Sequence, residues 1–126
     1  QGPFGRNVHL STQIKKTINQ AGHHIPVVTA GGICTFEMAE QILQNEEADI
    51  IGSARQCLAD PDWFLKVREG SGGEVRRCEY TNYCEGLDQN HKQVTCKLWD
   101  RTEMDEEGIS RDHSGKRRLL APRWKR

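Results

Sequence analysis

Two short runs constrain this chain more than anything else in it: Ile25-Pro26-Val27-Val28-Thr29-Ala30, closed by Gly31-Gly32, and Ala48-Asp49-Ile50-Ile51-Gly52. Both read as strands, and the first predicts a strand buried on both faces rather than an alternating, half-exposed one. Between them Phe36, Met38, Ala39, Ile42 and Leu43 recur at helical spacing, opened by Thr35 as a cap and ended by Asn45-Glu46-Glu47. Strands separated by a helical crossover pair in parallel. A helix also precedes the first strand, with Leu10, Ile14, Ile18 and Ala21 on one side, Ser11 as N-cap and Gly22 just past the end. After the second strand, Ser53-Ala54-Arg55 predicts a turn. Asp60-Pro61-Asp62 then announces a third helix, with Asp60 as cap, Pro61 in the first helical position and Asp62 at the positive end of the dipole. Trp63, Phe64 and Val67 give that helix apolar surface, and Gly70 stops it. The order helix, strand, helix, strand, helix is α/β. Two strands do not make a stable parallel sheet alone, so further strands are expected from another chain or from a larger fold.

Composition agrees with an incomplete core. The 126 residues suit one modest domain. With 35% hydrophobic and 6% aromatic residues and a mean hydropathy of -0.78, part of the chain is expected to lack a packed core of its own. Residues 8–70 carry the periodic signals, residues 71–126 are polar and weakly periodic, and Gly70-Ser71-Gly72-Gly73 marks the boundary. No internal repeat extends beyond the two strand–helix units. Eighteen basic residues balance eighteen acidic ones, which removes the electrostatic argument for nucleic acid or an anionic membrane surface. No apolar run approaches the roughly 20 residues that span a bilayer. The opening Gln1-Gly2-Pro3-Phe4-Gly5 is neither a signal peptide nor an initiator methionine and reads as a segment entered part-way. Five cysteines, an odd number, favour a reducing, cytoplasmic setting with some thiols as metal ligands or remnants of ligands.

Three motifs carry chemistry. Thr29-Ala30-Gly31-Gly32-Ile33 ends the first strand, where two glycines let the backbone approach an anion and aim N–H groups at it; an ordinary strand-to-helix turn has the same sequence. Ile51-Gly52-Ser53-Ala54-Arg55 ends the second strand and suits backbone plus guanidinium contacts to phosphate, although a lone arginine also serves as a surface ion-pair partner. Together they are stronger, because neighbouring parallel strands bring their carboxyl ends side by side, as in the phosphate sites of (β/α)8 barrels. The third is Cys78-Glu79-Tyr80-Thr81-Asn82-Tyr83-Cys84 with Cys96 twelve positions on, a spacing open to iron–sulfur or zinc. His91 lies between and reads as a solvated loop histidine, His23-His24 as a solvated turn, Cys34 and Cys57 as small buried apolar residues. The basic tail from Lys116 to Arg126 reads as an arm laid over its own protein, offset by the acidic run Glu103 to Glu107.

Val28-Thr29-Ala30-Gly31-Gly32-Ile33, Met38-Ala39-Glu40-Gln41-Ile42-Leu43, Ala48-Asp49-Ile50-Ile51-Gly52, Ala54-Arg55 and Leu58-Ala59-Asp60-Pro61 resemble the C-terminal end of the NADH:flavin oxidoreductase (Old Yellow Enzyme-like) family. The cysteine segment narrows the resemblance, continuous from about Val8 to Asp100, to the branch of 2,4-dienoyl-CoA reductase and trimethylamine dehydrogenase. It implies the last two strand–helix units of a (β/α)8 TIM barrel (residues 1–70), an irregular cysteine-containing extension (71–100) and a polar, basic tail (101–126). It implies that Gly31, Gly32, Ser53, Ala54 and Arg55 bind the FMN phosphate once the missing N-terminal barrel portion is present. The complete enzyme would use NAD(P)H and an activated unsaturated substrate, and no catalytic residue falls in this chain. Where cluster-bearing relatives have a cysteine this sequence has Thr81, which leaves Cys78, Cys84 and Cys96 as an incomplete metal-ligand set and argues against a four-iron cluster. The alternative reading is a non-catalytic α/β remnant or subunit that binds zinc or a partner protein through its cysteine loop.

Overall fold

The computed structural model of the chain describes residues 4–126, so the reading of the opening Gln1-Gly2-Pro3 lies outside the described residues. The chain forms two compact units, the first ending at Ala54 and the second spanning Arg55–Arg126.

The first unit runs α1 (Val8–Gln20), β1 (Val28–Ala30), α2 (Phe36–Gln44) and β2 (Ile50–Gly52). β1 and β2 pair in parallel with Val28 opposite Ile50, Thr29 opposite Ile51 and Ala30 opposite Gly52, as the helical crossover requires. Thr35 caps α2 as expected: its hydroxyl accepts the Met38 N–H at 3.2 Å. Ser11 does not cap α1. That helix starts a turn earlier after Asn7, and Ser11 is buried inside it with its hydroxyl donating to the Val8 carbonyl at 2.8 Å. Ile33, Ala39, Ile42 and Ala48 form the core, with Val8, Met38 and Ile51 packed on it.

This core covers one face of the sheet. Alternation along β1 and β2 puts Thr29 and Ile51 on one side and Val28, Ala30, Ile50 and Gly52 on the other. Thr29 is buried, whereas Val28 is 56% and Ile50 49% exposed. The expectation of a strand buried on both faces is therefore corrected for this chain: β1 alternates exposed, buried, exposed, because no element among the described residues of the first unit covers its second face.

The second unit runs α3 (Arg55–Ala59), α4 (Trp63–Arg68), a 3₁₀ turn (Gly72–Glu74) and α5 (Tyr83–Gln89). The turn expected at Arg55 is instead the start of α3. α4 begins after Asp62, two residues later than expected; the fully buried Asp60 carboxylate accepts the Asp62 N–H at 3.1 Å, as a cap does, and also the Lys66 ammonium at 2.7 Å and the Arg76 N–H at 2.8 Å. A buried carboxylate is tolerated when its lone pairs are occupied this fully. The cysteine segment, expected to be irregular, contains α5. The tail has no helix or strand, yet it is not loose. Arg117 is buried and donates to the Gln93 carbonyl at 3.0 Å and the Thr95 hydroxyl at 2.7 Å. Arg118, also buried, bonds Glu106 at 2.9 Å. No helix among the described residues is long and apolar enough to cross a membrane.

Candidate functional site

Two places hold the residues that the sequence singled out. In the first unit, β1 and β2 end side by side, and the chain leaves each through a turn of small residues. Gly31 and Gly32 both have positive φ, 117° and 72°, a conformation that glycine adopts without the steric cost a side chain imposes. At Gly31 there is also no room: a Cβ would stand 2.5 Å from the Asn7 amide nitrogen, which donates to the Ala30 carbonyl at 3.0 Å. Asn7 thus pins the end of β1 and seals one side of the Gly31 turn. The Ser53 hydroxyl donates to the Ile33 carbonyl at 3.2 Å, so the turn after β2 is tied to the turn after β1. Ala54 follows, exposed. Below these turns, Asp49 is held under the usual carboxylate range by the Val27 N–H and by Lys15, whose ammonium lies 2.9 Å away.

In the second unit, Arg55, Cys78, Thr81, Cys84 and Cys96 line one cavity together with Tyr80, Asn82, Tyr83 and Lys97. The Arg55 guanidinium donates to the Asn82 side-chain oxygen at 2.7 Å and lies over the Tyr80 ring at 4.6 Å. Asn82 and Tyr80 both take left-handed backbone conformations. Cys78 is buried, its N–H held by the Gln56 side-chain oxygen at 2.8 Å, while Gln56 donates to the Arg76 carbonyl at 2.9 Å. The Cys78 Sγ accepts the Tyr80 N–H at 3.4 Å. Cys84 lies in the first turn of α5. Burial pushes the Cys96 thiol up; the Leu98 N–H works against this, while the neighbouring Cys78 and Cys84 thiols and Asp100 add to the rise. The surrounding frame is polar and closed. Buried Asp100 accepts from Tyr83 and from Thr95, both at 2.7 Å, and the Trp99 indole donates to the Leu58 carbonyl at 2.9 Å.

Comparison with known proteins places the chain. The NADH:flavin oxidoreductase / NADH oxidase family matches residues 4–74. The chain belongs to that family. It is 39% identical over 87 residues to a bilirubin reductase of Mediterraneibacter gnavus, a match covering 68% of this chain and 13% of the relative. It is 40% identical over 74 residues to an NADH oxidase of Thermoanaerobacter brockii, covering 59% and 11%. The solved structure of a 2-naphthoyl-CoA reductase in complex with 2-naphthoyl-CoA superposes with a TM-score of 0.67 at 22% identity, over 77% of this chain and 14% of that one. The matched parts are a small share of each relative's length. The fold likeness agrees with the two-stranded parallel α/β unit.

The family implies a flavin, and the turns after β1 and β2 suit its phosphate end. Gly31 and Gly32 both hold the positive φ that lets successive backbone N–H groups turn toward an anion. A four-iron cluster does not fit the second cavity. Such clusters take four thiolates, whereas the walls offer three thiols with the Thr81 hydroxyl, and the cavity volume of about 20 Å³ holds one water-sized occupant. No group of three or more His, Cys, Asp or Glu side chains among the described residues is placed as ligands to one ion. His91 and His23-His24 are exposed, Cys34 is buried and Cys57 half-buried. Sequence reasoning missed Asn7, Gln56 and the Arg55–Asn82–Tyr80 contact. Asn82 alone left a trace, because asparagine tolerates the left-handed conformation found there.

Proposed function

We propose that the chain is the closing portion of an FMN-dependent NAD(P)H oxidoreductase, the last two strand–helix units of a (β/α)8 barrel over residues 1–70, followed by a cysteine-containing extension (71–100) and a polar tail (101–126). The observation that carries this reading is the uncovered sheet face. Val28 and Ile50 stand half-exposed on a parallel pair whose other face is packed, and parallel strands of this composition are normally covered on both sides. The remaining strands of a barrel would cover that face and continue both strand edges.

In this reading Gly31, Gly32, Ser53 and Ala54 hold the FMN phosphate with backbone N–H groups. Arg55 adds a guanidinium, which has five N–H donors and so can serve an anion as well as Asn82. Bound there, the flavin would carry electrons from reduced nicotinamide to an activated unsaturated substrate. The chain's own residues anchor and orient it. Asn7 keeps the Gly31 turn in place, and Ser53 keeps the two turns together. Catalytic groups lie on the strands supplied by the missing N-terminal barrel portion.

The test is a graft. Residues 4–74 replace the matched segment of the Thermoanaerobacter brockii NADH oxidase, and bound FMN is read from its absorbance. The expected result is one FMN per chain, lost on Gly31→Val. A folded graft without flavin overturns the reading.

A further inference from the structure

A unit as small as the second one normally needs a staple besides its apolar core. That core is thin here: Ala59, Trp63, Cys78, Leu87 and Trp99 are its buried apolar side chains. We propose that Asp100 is the staple, a buried carboxylate hub that ties the segments carrying Cys84 and Cys96 to each other and to the tail. It takes the structural place of a cluster, so the unit folds and holds its thiols without metal. This inference is independent of the flavin reading, since it concerns the second unit alone.

The ties fall beside the cysteines. Asp100 is 1% exposed, and its carboxylate accepts the Tyr83 phenol and the Thr95 hydroxyl, each at 2.7 Å. Tyr83 directly precedes Cys84 in α5, and Thr95 directly precedes Cys96. The Asp100 N–H donates to the Cys96 carbonyl at 2.9 Å, and the Asp100 carbonyl accepts the Arg118 N–H at 2.7 Å. One residue therefore joins α5, the Cys96 turn and the tail. Tyr83 also lines the cavity that the thiols share, so the hub stands one side chain behind the cavity wall. Cys78 is held separately, through the Gln56 side chain that bonds its N–H at 2.8 Å.

Charge and spacing complete the hub. The buried Arg117 guanidinium lies 3.9 Å from the Asp100 carboxylate and donates to the Thr95 hydroxyl at 2.7 Å. A buried carboxylate met by hydroxyls and a cation is stable as a set, and loss of one partner strands the rest. Tyr83 and Asp100 are 17 residues apart, and Thr95 and Arg117 are 22 apart. These bonds therefore close long loops, the task a cluster performs when it cross-links its cysteines. The donor set does not supply that cluster, because Thr81 stands among the three thiols where a fourth thiolate is required.

The experiment uses the full chain, kept reduced. Each cysteine is labelled with iodoacetamide and followed by mass spectrometry, with Cys57, which lies outside the cavity lining, as internal reference. The unaltered chain is expected to unfold at the same urea concentration with and without a chelator, and to take up no cluster on reconstitution with iron and sulfide. Asp100→Asn should speed labelling of Cys84 and Cys96 relative to Cys57 at least about tenfold, and Tyr83→Phe that of Cys84 about threefold. Tyr83→Phe removes one hydroxyl and no charge, so it reads the same tie in a chain that keeps its fold, as far-ultraviolet circular dichroism checks. Unchanged labelling ratios in a folded variant overturn the proposal. So does uptake of four irons by the unaltered chain, or a chelator that lowers its unfolding midpoint.

Discussion

The two units of this chain solve burial in opposite ways. The first packs a small aliphatic core, Ile33, Ala39, Ile42 and Ala48, and leaves Val28, Ile50, Leu10 and Ile14 half in water. The second buries charge: Asp60 with Lys66, Asp100 and Asp112 with Arg117, and Arg118, each with its hydrogen bonds supplied from within the unit. The Asp112 carboxylate shows the balance. Burial pushes it up, but the Ser114 hydroxyl, Arg117 and the Lys116 N–H together hold it below the usual range. A polar interior demands complete pairing to be stable, and so the second unit closes on itself. An aliphatic half-core demands only more apolar surface, and so the first unit can wait for it from elsewhere.

Substitutions should break the two units differently. The largest effect is expected at Asp60→Ala, which strands the buried Lys66 ammonium and costs ~3–5 kcal/mol. Urea unfolding followed by tryptophan fluorescence reads it cleanly, because Trp63, Trp99 and Trp124 all lie in the second unit. Ile42→Ala in the aliphatic core should cost ~2–4 kcal/mol, read by circular dichroism or amide exchange, with the fluorescence transition unchanged. Ile50→Ser on the uncovered face should move stability by no more than ~0.5 kcal/mol in this chain, yet should abolish folding of the graft, where the same side chain would be buried. A large loss in the isolated chain would show that the face is already covered.

The smallest effect is electrostatic. Asp49 has a folded pKa below its unfolded 3.8, so between those values the unfolded chain binds more protons. The contribution is therefore fully present above the unfolded value and fades as pH falls through the folded one. Amide exchange of the first unit near pH 3 should show it, and Lys15→Met should shrink it.

Local chemistry was legible in the sequence wherever it decided the structure. Thr35 before an apolar periodicity marked α2, glycines marked the ends of both strands, and Gly70 marked the end of α4. Ser11 misled because its residue type suits a cap, while Asn7 one turn earlier begins the helix. Asp60 does accept the Asp62 N–H, but its carboxylate is also claimed by Lys66 and Arg76, partners that no local pattern reveals. α5 was missed because its periodicity is short, and Tyr83 is fixed by Asp100, seventeen residues away. The pairing of the glycine turns was legible from strand–helix order alone. The common cavity of Arg55 and the cysteines was not, since it depends on two left-handed residues, Tyr80 and Asn82, and on the Gln56 side chain that holds the backbone beneath them.

The central claim is that the turns after β1 and β2 hold a flavin by its phosphate. The most direct measurement compares FMN with riboflavin on the grafted enzyme by fluorescence quenching. The account predicts that FMN binds at least about a hundredfold tighter, ~2.7 kcal/mol, and that Gly31→Val with Arg55→Met removes most of that preference. Equal affinity for FMN and riboflavin, or a preference untouched by the double substitution, would contradict it.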